Sequence, residues 1–306
     1  MENENIETPK EKSGKSYLPM SIFASAIILA GALIYSTGLK YQQGQPNSPK
    51  NTSGEVASQS EVLSSVKLPI KWGDIGQKMV KSGVIDLPQL ESLYAKRGGL
   101  PKDEMALLAE NYTGDVVMTQ QNSAFLLNVF WAFGLADKNQ ILEKGPMQDP
   151  QYGGAGKFAS TGGWTLAKGN PMDHYSKYEL VKLNPEQQLL VENVSKNIYR
   201  PCCGNSTYFP DCNHGMAMLG LLELMAANGV TESEMYRVAL SVNSLWFPDT
   251  YLTIAKYFEA KGVAWDKVDP KVALGADYSS GYGYANILSQ VQTPEKKSSG
   301  GGGCGA

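Results

Sequence analysis

From Tyr17 to Leu39 the chain reads YLPMSIFASAIILAGALIYSTGL, 23 residues without a charge. At about 1.5 Å per residue, a helix of that length crosses the roughly 30 Å hydrocarbon layer of a bilayer. The segment predicts a single-pass transmembrane helix, which divides whatever stands on either side of it. No small-residue cleavage site follows a short apolar core, so a retained anchor is expected rather than a removed signal peptide. Lys10, Lys12 and Lys15 precede the segment, while Lys40 and Lys50 follow it. The positive-inside rule counts Lys and Arg and ignores the glutamates among them. Residues 1–16 are therefore expected in the cytoplasm, with the main domain extracytoplasmic and held at the cell membrane through residues 17–39.

Residues 40–66 are rich in Gln, Ser, Asn, Pro and Gly, a composition that buries too little apolar surface to offset the entropy of ordering. They read as a flexible linker. Residues 291–306 end in a Gly-rich tail that carries Cys304. Residues 67–290 lie between, with no low-complexity break, and are long enough to bury a core as one domain.

Charge excludes one class of partner. A net charge of −3 with only Arg97, Arg200 and Arg237 as arginines offers no basic face for nucleic acid. The sequence holds no phosphate-binding glycine-lysine motif, no dinucleotide fingerprint and no H-E-x-x-H helix, so nucleotide cofactors are not indicated.

Helix punctuation recurs through the domain. Trp72, Ile75, Met79 and Val80 form a stripe stopped by Gly83; Asp86 and Pro88 open a second helix; Pro101 to Asn111 carries a third. Residues 120–134 are apolar nearly all round from Ala124, as in a helix at the centre of a bundle. Asn184-Pro185 opens a helix running to Arg200. Asp211 or Asn213 caps the stretch GMAMLGLLELMAAN, Thr231 and Glu234 form a capping box, and Pro248 begins a further helix that stops at Gly262. Val116–Met118 and Tyr178–Leu183 are the candidate strands. The expected fold is mostly α: a membrane anchor plus one multi-helix globular domain.

Residues 145–176 break that rhythm with seven glycines and three prolines among Tyr152, Phe158, Trp164 and Tyr175. So long a Gly-rich loop is expected to pack over the helices, as a plain covering or as the wall of a site. It also carries Met172 and His174.

The chemistry concentrates elsewhere. Cys202, Cys203 and Cys212, three of the four cysteines, fall within eleven positions, and His214, one of only two histidines, stands beside them. Thiolate and imidazole are the donors that Zn or Cu(I) prefers, and these four residues would complete a tetrahedral site. Cys212 and His214 stand where a helix begins, and a thiol there loses its proton readily.

A second reading uses the same residues for thiol redox exchange, with Cys212 as the thiolate, Cys203 as its resolving partner and His214 as proton carrier. A third is a non-enzymatic surface or interaction domain in which Cys202 or Cys203 is joined to Cys212 by a structural disulfide, as an oxidising compartment favours. Met216 is a further possible soft donor. Glu223, mid-helix among apolar residues, is the one carboxyl whose surroundings suggest a perturbed acid. Whether the domain is an enzyme is left open by these residues.

Overall fold

A computed structural model describes residues 59–96 and 98–291. The expected anchor 17–39, the tail before it, the linker as far as residue 58, and residues 292–306 with Cys304 lie outside the described residues. Among the described residues no helix is long and apolar enough to cross a membrane.

In chain order the elements are β1 (Val66–Lys67), α1 (Ile75–Ser82), α2 (Leu87–Ala95), α3 (Lys102–Ala109), β2 (Val117–Met118), α4 (Ser123–Ala136) and α5 (Gln140–Lys144). After a long connection come α6 (Pro185–Ser195), α7 (Asn213–Ala227), α8 (Glu232–Trp246), α9 (Pro248–Ala260), α10 (Pro270–Ala273), α11 (Ala276–Ser279) and α12 (Gly281–Val291). The domain is mostly helical, as the punctuation predicts. The linker expectation runs too far: Val62 and Val66 are buried in the core, and β1 pairs antiparallel with β2.

The core is organised by α4 and α7, the two helices that are apolar on nearly every face. Ten of the fourteen residues of α4 and twelve of the fifteen of α7 are buried, so neither has a solvent face to spare. Each large apolar side chain so buried contributes roughly 1.5–3 kcal/mol. Their close contact depends on two glycines. A Cβ on Gly134 would meet the Met216 carbonyl oxygen at 2.3 Å, and one on Gly220 would meet the Phe130 carbonyl oxygen at 2.8 Å. The helices α6 and α8 pack around this pair.

Local chemistry explains where the observed ends differ from those expected. The helix opened by Asn184 has its full capping box with Gln187, but it stops at Ser195 instead of Arg200. Pro201 disfavours helical geometry in the residue before it. The freed stretch turns extended, with a bridge from Tyr199 to Ser206. At the start of α8, Thr231 accepts from the Glu234 N–H, yet the Glu234 carboxylate turns away to Arg237, so only half of the expected box forms. Tyr178–Leu183 is not a strand. Tyr178 makes a single bridge to Asp137, and the N–H groups of Leu180 and Val181 go to the Asp137 carboxylate.

The Gly-rich connection is packed, through four short 3-10 turns. Trp164 is buried, donates to the Val84 carbonyl at 2.8 Å, and meets Trp131 edge-on. Further along, Tyr152, Phe158 and Phe209 form a ring cluster with centroids 5.2–5.4 Å apart. The Ser160 N–H also reaches the Asp211 carbonyl, so this loop buttresses the segment that carries Cys212.

Candidate metal centre

The first two cysteines are presented by a tight reversal. The Cys203 N–H donates to the Arg200 carbonyl, with Pro201 at the second position of the turn, where its fixed φ is favoured. Below the turn the Tyr199–Ser206 bridge and the Thr207 N–H to Ile198 carbonyl bond hold the two arms together. The Gly281 N–H, at the start of α12, fixes the Cys203 carbonyl at 2.8 Å.

Cys212 arrives from the other side, as the residue that caps α7. Its Sγ accepts from the Gly215 N–H at 3.4 Å. A sulfur stands here in place of the expected Asp211 or Asn213 because both are engaged otherwise. Asp211 is ion-paired with Arg200 and accepts from Asn205, and the Asn213 side chain takes the His214 N–H.

These two approaches bring the Sγ atoms of Cys202, Cys203 and Cys212 within 4.8 Å of one another. Cys202 and Cys212 are in contact at 3.4 Å. All three are free thiols, so the structural disulfide of the third sequence reading is not formed: a bonded pair would lie near about 2.0 Å.

Arg200 is the residue the sequence did not single out. Its guanidinium is buried, 2% exposed, and every edge is used. Nε donates to Cys212 Sγ at 2.9 Å, Nη1 to the Asn205 carbonyl, and Nη2 to the Phe209 carbonyl and to Asp211. The adjacency Arg200-Pro201-Cys202-Cys203, in a chain with three arginines, was the available signal.

The charge on the trio settles on one sulfur. Hydrogen bonds from Cys202 and then Cys203, assisted by His214 and by the Arg200 charge, hold the Cys212 thiol far below its ordinary range despite burial. Cys202 is pushed up by its hydrogen bonds to Cys203 and Cys212 and by burial. Cys203 is also raised: its bond with Cys202 acts the other way, but the bond with Cys212 and burial prevail. These directions make Cys212 the first of the three to ionise, and a metal that takes all three sulfurs displaces the protons that remain on the others.

Gly215 makes room for this arrangement, since a Cβ there would stand 2.5 Å from the Arg200 Cζ. Gly215→Ala is expected to cost about 1–3 kcal/mol by overpacking against a guanidinium that cannot retreat. A thermal melt checks it, and an unchanged midpoint would show that the Arg200 pocket is looser than drawn.

The other expected donors are not part of the trio, although His214 stands beside Cys212 as a hydrogen-bonding neighbour. His214 lies outside the group of ligand atoms that share the 4.8 Å limit. Its ring packs on Phe247 at 4.4 Å and Trp246 at 5.7 Å, and its Nδ1 is buried without a hydrogen-bond partner. The ring nitrogens of His174 are bonded to the Tyr178 hydroxyl and the Lys168 carbonyl, away from the thiols. Met216 is core filling on α7.

Glu223 is fully buried beside Asp137 and Asn139. Burial first, then the Asp137 charge, pushes its carboxyl well above the usual range. Asp137 is pushed up to about 6, mainly by burial.

No family model, curated protein or solved structure matches this chain. The reading of the site rests on its own geometry.

Proposed function

We propose that the domain binds a thiophilic metal ion, Cu(I) or Zn(II), through Cys202, Cys203 and Cys212, outside the membrane to which residues 17–39 tether it. The observation that carries this is the approach of three sulfurs to within 4.8 Å of one another. With metal–sulfur bonds of about 2.3 Å, ligand sulfurs around one ion stand about 3.8–4.0 Å apart, so small side-chain rotations suffice. Three thiolates and little else make a soft donor set. Arg200 supports it in two ways: its positive charge offsets the accumulating thiolate charge, and its Nε–H orients Cys212.

One observation keeps thiol redox exchange as a second reading: Cys202 is exposed and touches the thiolate of Cys212. In that chemistry the Cys212 thiolate attacks a partner's disulfide and releases one of its sulfurs as thiolate. Cys202, losing its proton to solvent, then attacks Cys212 and releases the other. The partner gains two electrons, and the chain holds a Cys202–Cys212 disulfide. Cys202, at 3.4 Å, joins Cys203 as a candidate for the resolving thiol.

The test is titration of reduced protein with Cu(I) and with Zn(II) under anaerobic conditions. The metal reading expects one ion per chain, proton release on binding, and a loss of roughly 10²-fold or more in affinity in Cys212→Ser. Four titratable thiols, Cys304 included, and no stoichiometric ion would overturn it in favour of the redox reading.

A further inference from the structure

Three sulfurs converge, and among the described residues no histidine nitrogen or carboxylate oxygen completes the group that shares the 4.8 Å limit. Asp211 comes within 3.9 Å of Cys203 Sγ, but its carboxylate is held by Arg200 and Asn205. The His214 ring is packed against Phe247 and Trp246. Cys202 is exposed and Cys203 and Cys212 are half-buried, so an ion arriving from solvent meets the sulfurs directly.

Two properties of the trio select among thiophilic ions. The first is spacing: the Sγ atoms of Cys202 and Cys212 stand 3.4 Å apart, closer than the separation of about 3.8–4.0 Å around a tetrahedral ion. An ion with a stereochemically active lone pair makes three bonds at narrow angles, keeps its sulfurs closer together and asks for no fourth ligand. The second is charge. Three thiolates leave two negative charges on a complex with Cu(I), one on a complex with a divalent ion and none on a complex with a trivalent one. Arg200 brings one positive charge to the sulfurs and shares it with Asp211, so only part of it is available to them. Charge left unpaired in half-buried surroundings is costly, and the neutral complex avoids that cost.

We infer that Cys202, Cys203 and Cys212 take a trivalent metalloid of the arsenite or antimonite class, a reading that rests on the three-sulfur centre proposed above and extends it beyond Cu(I) and Zn(II). The ligand arrives from solvent as a neutral trihydroxide. Three metalloid–oxygen bonds break, three metalloid–sulfur bonds form, and three waters leave. Each hydroxide takes its proton from a thiol or, where a sulfur is already ionised, from solvent. The oxidation state does not change, so no oxidant or reductant takes part. Adjacent Cys202 and Cys203 supply two of the bonds from one turn, and Cys212, held by Arg200 and the Gly215 N–H, supplies the third from the start of α7.

Anaerobic titration of the reduced full chain with arsenite, followed by a count of the thiols still open to alkylation, tests this. The expected result is one arsenic per chain, with Cys202, Cys203 and Cys212 protected and Cys304 still reactive. Arsenite binding should release no net protons, whereas Zn(II) binding releases them. Cys202→Ser, Cys203→Ser and Cys212→Ser should each weaken arsenite binding by on the order of 10²-fold, and Cys304→Ser should leave it unchanged. Protection of only two thiols, protection of Cys304 in place of one of the three, or unaltered affinity in any of the first three variants would overturn the inference. Binding of Cu(I) or Zn(II) at the trio without binding of arsenite would also overturn it, while leaving the function proposed above in place. Failure of arsenite, Cu(I) and Zn(II) alike would remove both.

Discussion

Replacing Glu223 by Gln is expected to raise the thermal midpoint at pH 8 by several degrees and to flatten its dependence on pH. Glu223 and Asp137 are buried together where α7 passes the end of α4, and neither Glu223 oxygen has a hydrogen bond of good geometry. The groups facing them are the Asn139 side chain and the backbone N–H groups of Lys138, Leu180 and Val181, none of which is a counter-ion. Both carboxyls are raised in the folded state, Asp137 from 3.8 to about 6. A raised carboxyl stabilises the fold fully below its unfolded pKa, and that contribution is lost as pH rises through the folded value. For Asp137 the window is pH 4 to 6, and Glu223 extends it upward. Two pKa units correspond to about 3 kcal/mol, and each kcal/mol moves the midpoint of a domain this size by about 2–4 °C. The amide removes one buried carboxyl and offers Asp137 a donor, while burial still keeps the Asp137 carboxyl raised. Melts of both proteins from pH 4.5 to 8.5 decide the matter: curves that run parallel would mean that the carboxyls do not share the site as described.

Arg200→Met is expected to damage fold and chemistry together. Removing one member of a buried charged cluster costs about 3–5 kcal/mol, because Asp211 and the Asn205 and Phe209 carbonyls lose their donors. The midpoint should fall by roughly 10 °C or more. Cys212 loses both a positive charge and an N–H donor, so its thiol should move up, by less than the full shift because the hydrogen bonds from Cys202 and Cys203 remain. Iodoacetamide alkylation followed against pH separates the two effects. In the wild type one thiol reacts at a rate nearly flat from pH 6 to 8, whereas in the variant that rate should climb with pH. Arg200→Lys should restore part of the reactivity and little of the stability, since an ammonium cannot fill four hydrogen-bonding directions at fixed angles. A wild-type alkylation profile in Arg200→Met would mean that the guanidinium has no hold on the thiolate.

Local signals and long-range ones fared differently between sequence and structure. The convergence of Cys202, Cys203 and Cys212 was legible because it depends on short-range events: a Pro-initiated turn, eight intervening residues, and a helix that begins beside Cys212. The identity of the cap was not, since Asp211 is diverted by Arg200, whose position is set by the Tyr199–Ser206 bridge and the hollow left by Gly215. The place of His214 depends on Phe247 and Trp246, more than thirty residues away, and no spacing rule gives that. Glu223 follows the same division. Its burial was visible in the apolar residues around it, whereas its partner Asp137 sits past the end of α4, brought there by the Gly134–Gly220 contact of two helices.

The central claim is that three sulfurs hold one ion, and X-ray absorption at the metal edge of the reduced, loaded full-length protein tests it most directly. The account predicts one ion per chain with at least three sulfur neighbours at about 2.3 Å. A shell of nitrogen and oxygen alone, or a chain with all thiols free and no ion bound, would contradict it.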